Sequence, residues 1–316
     1  MLTRILVFLL LLAPVMAGPV EPPKGIFSSH VGAQVERYIH EPFVEGALIR
    51  VRWAELQPSP GEFDFAAIER QLQPVRRAGK KWSLAVLSGP HTPPWLLGSS
   101  PERMEILFRG QRKSIVPFWS DHYHKHADGL AKALARRYGS DPKLVLVYVP
   151  QQTSNGIEGH FNGNSPAALR AQGMTEERWF EASRRAIESY VRAFPGKALA
   201  FELHELLGDT ALPRRLIKLI ETRHAEQVGI GVWWLSGKER YQNGLLGLLK
   251  RTRLPIYAQV IGNSGESHRF PNGDYTAVFR QASELGIEYI EVWNYELERP
   301  VAPEVLQSIK AFSAEH

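Results

Sequence analysis

Three carboxylates stand where they could do acid–base work. Glu158 lies in a glycine-flanked run, Asn155-Gly156-Ile157-Glu158-Gly159-His160, that lets the backbone come close to a ligand. The competing role for Glu158 is to cap that turn, and His160 is placed to tune its proton affinity. Glu291 interrupts an apolar run, Tyr289-Ile290-Glu291-Val292-Trp293. A carboxylate there must face an interior cavity or pair with a cation, Arg50 or Arg52, because an unpaired buried charge is costly. Glu202 belongs to Phe201-Glu202-Leu203-His204-Glu205, where alternation puts Glu202 and His204 on one face and Glu205 with Leu203 on the other. Two carboxyls whose surroundings drive their proton affinities apart make a general acid and a general base or nucleophile. Glu158 in its loop is expected to be the acid, and Glu291 beside an arginine the anion.

Other chemistries lack their residues. The 316 residues include no cysteine, which excludes disulfides, thiolate metal sites and a cysteine nucleophile. No Gly-x-Ser-x-Gly elbow, P-loop, His-Glu-x-x-His or EF-hand loop is present, and no cofactor is expected. His204 has no His-x-His or His-x-x-x-His partner, so no metal is expected there. His122 and His126 in Asp121-His122-Tyr123-His124-Lys125-His126 are one helical turn apart, and the expected setting is a solvated helix start.

The elements that must position these side chains follow from periodicity. Eight short apolar runs read as strands: 26–29, 47–53, 82–87, 144–149, 198–203, 228–234, 256–261 and 289–293. Amphipathic helix patterns lie between them at 66–78, 123–138, 176–193, 213–223 and 275–285, with Thr175 and Asp274 as N-terminal caps. Eight strands alternating with helices predict an α/β protein, a single (β/α)8 barrel over 18–316. A doubly wound sheet would usually carry a Gly-rich phosphate turn after its first strand, and Ser28-Ser29-His30-Val31-Gly32 is not one. In a barrel, chemistry gathers at the C-terminal strand ends. Those ends carry Arg50, Arg52, Trp53, Gln151, Gln152, Glu202, His204, Trp233, Gln259, Glu291 and Trp293, with Glu158, Trp95, Trp119 and Asn263 in the loops that follow. Carboxylates, amides and aromatic rings converging on one rim fit a carbohydrate pocket.

Charge and the N-terminus bear on partners and address. Lys and Arg number 38 against 33 Asp and Glu, and the basic pairs (76–77, 80–81, 136–137, 184–185) are scattered over helix patterns, so no nucleic acid partner is expected. Met1–Ala17 reads as a cleaved export signal, with Arg4, the apolar run 5–12 and a Val15-Met16-Ala17 cleavage site. A periplasmic or secreted protein without stable membrane insertion is the expectation. Oligomeric state is not legible.

From the second strand the chain resembles a family. Val51-Arg52-Trp53-Ala54-Glu55-Leu56-Gln57-Pro58-Ser59-Pro60-Gly61-Glu62-Phe63-Asp64-Phe65 is similar to a passage of the clan A glycoside hydrolases, the family 42 and family 35 β-galactosidases in particular. Thr92-Pro93-Pro94-Trp95-Leu96 and Val116-Pro117-Phe118-Trp119-Ser120 match later loops of the same clan. The resemblance implies hydrolysis of O-glycosidic bonds by two carboxylates, with Arg52 supporting the nucleophile. It also exposes a departure. The clan's acid/base and nucleophile positions, both Glu, read here as Gln151-Gln152 and Gln259. Glutamine can neither pass a proton at neutral pH nor form a glycosyl ester. Two expectations follow: Glu158 and Glu291 as catalytic carboxylates with Arg52, Trp53, Trp95, Glu202, Gln259 and Trp293 binding substrate, or a carbohydrate-binding barrel that has lost catalysis.

Overall fold

The computed structural model describes residues 20–298 and 302–316. The expected export signal at 1–17 lies outside them. Eight parallel strands close into a barrel: β1 (Gly25–Ser28), β2 (Gly46–Arg52), β3 (Lys81–Leu87), β4 (Leu144–Tyr148), β5 (Ala198–Glu202), β6 (Val228–Leu235), β7 (Ile256–Val260) and β8 (Tyr289–Val292). Each pairs with its neighbours in chain order, and β8 returns to β1 through Gly25↔Tyr289 to Ser28↔Val292. All eight expected strands form, each within a residue or two of its expected bounds.

Two apolar regions hold the barrel. Outward-facing Val, Ile, Leu and Trp side chains pack beneath the helices Ala66–Arg77, Asp121–Tyr138, Glu176–Ala193, Ala211–Arg223, Ala277–Glu284 and Pro303–Glu315. Thr175 caps the third of these by accepting from the Arg178 N–H. The barrel interior is filled by the alternate residues Phe27, Leu48, Ala85, Tyr148, Tyr257 and Tyr289. Ascending four of the strands on that same face, β2, β5, β7 and β8, the next residues toward the mouth are polar: Arg50, Glu202, Gln259 and Glu291. Alternation therefore sets an apolar floor under a charged layer.

One excursion was not legible in the sequence. Between β3 and the helix at Asp121 the chain makes an antiparallel hairpin, Met104–Phe108 with Gln111–Ile115. Its outer edge does not pair with a strand. The side-chain amides of Gln172 and Asn164 take that place. Gln172 accepts from the Glu105 N–H (2.6 Å) and donates to its carbonyl (2.8 Å). Asn164 does the same at Leu107 (2.8 and 3.1 Å).

Candidate active site

The loop after β4 presents Glu158, and its shape is dictated by close packing. Gly156 has φ +86°, and a Cβ there would stand 2.0 Å from the Ser88 nitrogen, so two loops meet backbone to backbone. Ile157 is wholly buried among the barrel-interior side chains and anchors the turn. Gln151 donates to the carbonyls of Ile157 (2.9 Å) and Glu202 (2.8 Å). Asn155 Oδ1 accepts from the Ile157 and Glu158 N–H groups (3.1 and 2.9 Å), and its Nδ2 donates to Glu158 Oε2. The carboxylate projects from this corner with 18% of its side chain exposed.

Glu158 faces two histidines. His160 Nε2 lies 3.5 Å from Glu158 Oε2, and the His160 and His204 rings are 4.9 Å apart. Glu202, 1% exposed, accepts the Gly159 N–H (2.5 Å) and places its two oxygens 2.8 and 3.0 Å from His204 Nδ1. Burial alone would raise Glu158, but His160, His204 and Asn155 together hold it below the ordinary carboxylate range. Burial, then the charge of Glu158, pushes Glu202 well above that range against the opposing pull of the Gly159 N–H. Burial pushes His204 down to about 4, so its ring is neutral.

Glu291 sits one layer deeper and is fully enclosed. Tyr148 and Tyr289 donate to its Oε1 (2.9 and 2.6 Å), and Gln259 Nε2 donates to Oε2 (2.8 Å). Burial raises it to about 7, although these three donors and the Arg50 charge act to lower it. The protonation preferences therefore run opposite to the expected division: Glu158 is held ionised, and Glu291 is poised near neutrality. Burial raises both carboxyls; at Glu158 the imidazoles of His160 and His204 with the Asn155 amide outweigh it, whereas at Glu291 the hydroxyl and amide donors and Arg50 do not.

The other expected residues divide. Arg50 is the arginine whose charge reaches Glu291 and Glu158, and its guanidinium stacks over the Trp293 ring at 5.2 Å. Arg52 is exposed as the last residue of β2, its N–H bonded to Glu55 (2.9 Å). Trp53 corrects the list of platforms: it is wholly buried against Tyr123 and bonded to Gln57, so it offers no face to a ligand. Trp95 is half-buried beside His126, with its indole N–H on the Gln57 carbonyl. Trp293 is half-buried at the mouth. Gln259 is committed to Glu291. Gln152 donates to Thr92 Oγ1 (3.1 Å), while its buried Oε1 has no partner. His122 and His126 open a helix as expected, their rings 4.9 Å apart. Sequence reasoning missed Tyr148 and Tyr289 as donors to Glu291, although strand alternation placed both on its face. It also missed Tyr241, exposed at the mouth within reach of the Glu158 charge.

A profile of the β-galactosidases of glycoside hydrolase family 42 matches residues 44–172, from β2 through the Glu158 loop. Over this stretch the chain is similar to the clan A glycoside hydrolases. A β-galactosidase of Arthrobacter sp is 29% identical over 124 residues, 37% of this chain and 18% of that one. β-Galactosidase BbgII of Bifidobacterium bifidum is 26% identical over 136 residues, 40% of this chain and 19% of that one. The match thus spans about a fifth of the length of these relatives. Among solved structures, the catalytic domain of β-amylase from Paenibacillus polymyxa aligns with a TM-score of 0.61 at 10% identity, covering 91% of this chain and 96% of that one. β-Galactosidase from Bacillus circulans sp. alkalophilus aligns with a TM-score of 0.60 at 13% identity, covering 93% and 56%. At those identities the structures speak to the fold. Gln152 and Gln259 present amides at this end of the barrel, and its carboxylates are Glu158, Glu202 and Glu291.

Proposed function

We propose that the protein hydrolyses O-glycosidic bonds of an oligo- or polysaccharide at the mouth of the barrel, by a two-carboxylate mechanism. The observation that carries this reading is Glu158: the only one of the three mouth carboxylates open to solvent, held by Asn155 and flanked by two imidazoles. An ionised Glu158 would act as nucleophile or as base toward water. Glu291, poised near neutrality, would supply the proton once an entering sugar draws Arg50 and Trp293 aside. Arg50 would stabilise the Glu291 anion left after proton donation, Glu291 would regain a proton from the water that completes hydrolysis, and Trp293 and Tyr241 would stack on sugar faces.

The test screens wild type, Glu158→Gln and Glu291→Gln on aryl glycosides and polysaccharides, with binding measured in parallel. Each substitution is expected to lower turnover roughly 10²–10⁴-fold while sugar binding persists. Turnover that survives both substitutions refutes the pair. Saturable binding with no wild-type turnover on any substrate would overturn hydrolysis in favour of a binding barrel. Export belongs to the same proposal, resting on the Met1–Ala17 pattern. It calls for a mature N-terminus near Gly18 by mass spectrometry, and an intact Met1 in the soluble fraction would refute it.

A further inference from the structure

The residues around Glu158 also form an arrangement that glycoside chemistry does not require. The ligand atoms of Glu158, His160 and His204 lie within 4.8 Å of one another, and Glu158 Oε2 stands 3.5 Å from His160 Nε2. In a zinc tetrahedron with bonds of about 2.0–2.1 Å, neighbouring ligand atoms are about 3.3 Å apart. The Glu158–His160 edge is already near that length, and small side-chain rotations close the other two.

The second observation is Glu202. A metal-binding imidazole characteristically gives its other ring nitrogen to a carboxylate, which fixes the ring and its tautomer. His204 Nδ1 lies 2.8 and 3.0 Å from the two oxygens of Glu202, which leaves its Nε2 for a ligand, and its ring stands 4.9 Å from that of His160. Glu202 is 1% exposed, and its Oε1 has no other partner. A buried carboxylate aimed at one nitrogen of a buried imidazole is the outer half of a metal site.

We propose that Glu158, His160 and His204 bind a divalent transition-metal ion of the zinc class, with Glu202 as the positioning residue behind His204. The donor set chooses the ion. Two imidazoles and one carboxylate suit zinc or cobalt, whereas magnesium and calcium take oxygen ligands. Three protein ligands leave a fourth position, and the partial exposure of Glu158 and His160 turns it toward the barrel mouth. One contact must give way: ligation through His160 Nε2 puts the proton on Nδ1 and breaks the long hydrogen bond from the Asn162 N–H (3.3 Å). The inference needs only these side chains and stands whether or not the barrel hydrolyses glycosides. If it does, a bound ion occupies the Glu158 carboxylate and inhibits turnover.

The experiment strips the whole protein with a chelator, then titrates it with Zn²⁺ by calorimetry and with Co²⁺ by visible absorption. One ion per chain is expected, with intense Co²⁺ d–d bands of a four-coordinate site. His160→Ala should weaken binding on the order of tenfold or more, and Glu202→Gln, which keeps the side-chain shape, should weaken it roughly 10–100-fold and shift the Co²⁺ bands. His160 is partly exposed, so its variant is expected to fold, which circular dichroism checks. His122→Ala, at the separate histidine pair, should change nothing. The proposal is overturned if no stoichiometric binding occurs, or if binding survives His160→Ala and is lost in His122→Ala. Metal binding with no glycoside turnover by the metal-stripped protein would leave this inference standing and defeat the hydrolase reading, and turnover by the stripped protein with no metal binding would do the opposite.

Discussion

Substituting Glu291 by glutamine should change how stability depends on pH. A carboxyl held at about 7 against an ordinary 4.5 binds its proton more tightly in the folded chain, by about 3 kcal/mol. The folded state therefore carries more protons than the unfolded one between those values, so stability is greatest below the unfolded value and falls as pH rises through 7. About 2.5 kcal/mol of this loss falls between pH 5 and pH 8. Glutamine keeps the shape and still accepts from Tyr148 and Tyr289 at its oxygen. Its nitrogen would meet the Gln259 amide nitrogen, and a half-turn of Gln259 about its last bond replaces that clash with a hydrogen bond. The variant should lose little at pH 5 and be the more stable protein at pH 8. Urea unfolding of both proteins across this range measures the difference directly, since groups remote from Glu291 cancel. A difference constant within about 0.5 kcal/mol from pH 5 to pH 8 would refute the argument that burial holds Glu291 protonated.

The Arg50→Met variant keeps the contact with Trp293 but removes the cation that lowers Glu291, so the same pH series should show its midpoint moving upward; an unchanged midpoint would mean that Arg50 does not reach the carboxylate. The Gly156→Ala variant should lose more than about 2 kcal/mol, because its Cβ meets the Ser88 backbone at 2.0 Å in a left-handed conformation. Gly61→Ala, with a similar φ of +82° and open space around it, should lose only about 1 kcal/mol, and equal losses in thermal unfolding would count against the close loop contact.

The barrel was legible because its strands are continuous apolar runs buried on both faces, and that pattern survives any choice of loops. That Arg50, Glu202, Gln259 and Glu291 gather at one end of the barrel followed from the strand ends alone. Finer features did not, for definable reasons. The hairpin at Met104–Ile115 has an exposed second strand, Gln111-Arg112-Lys113-Ser114, whose polar residues give no strand period. Trp53 and Trp293 look alike as residues following strand runs. The first begins a short helix that turns its ring into the core, while the second continues the inward face of β8. The His160–His204 approach joins residues 44 apart in sequence, so no local spacing could announce it. The protonation order of Glu158 and Glu291 depends on which donors and imidazoles stand against each buried carboxyl, and composition is silent on that.

The amide pairs along the hairpin have a consequence for how the molecule meets its neighbours. A free strand edge invites another chain to dock as the next strand, which is a common route to aggregation. Here Asn164 and Gln172 stand opposite alternate residues, Leu107 and Glu105, and satisfy the N–H and C=O groups that such a strand would need. Two side chains thus do the work of a third strand of the hairpin sheet without offering an outer edge of their own. Propagation stops at the Met104–Phe108 edge, which is kept from templating intermolecular sheet.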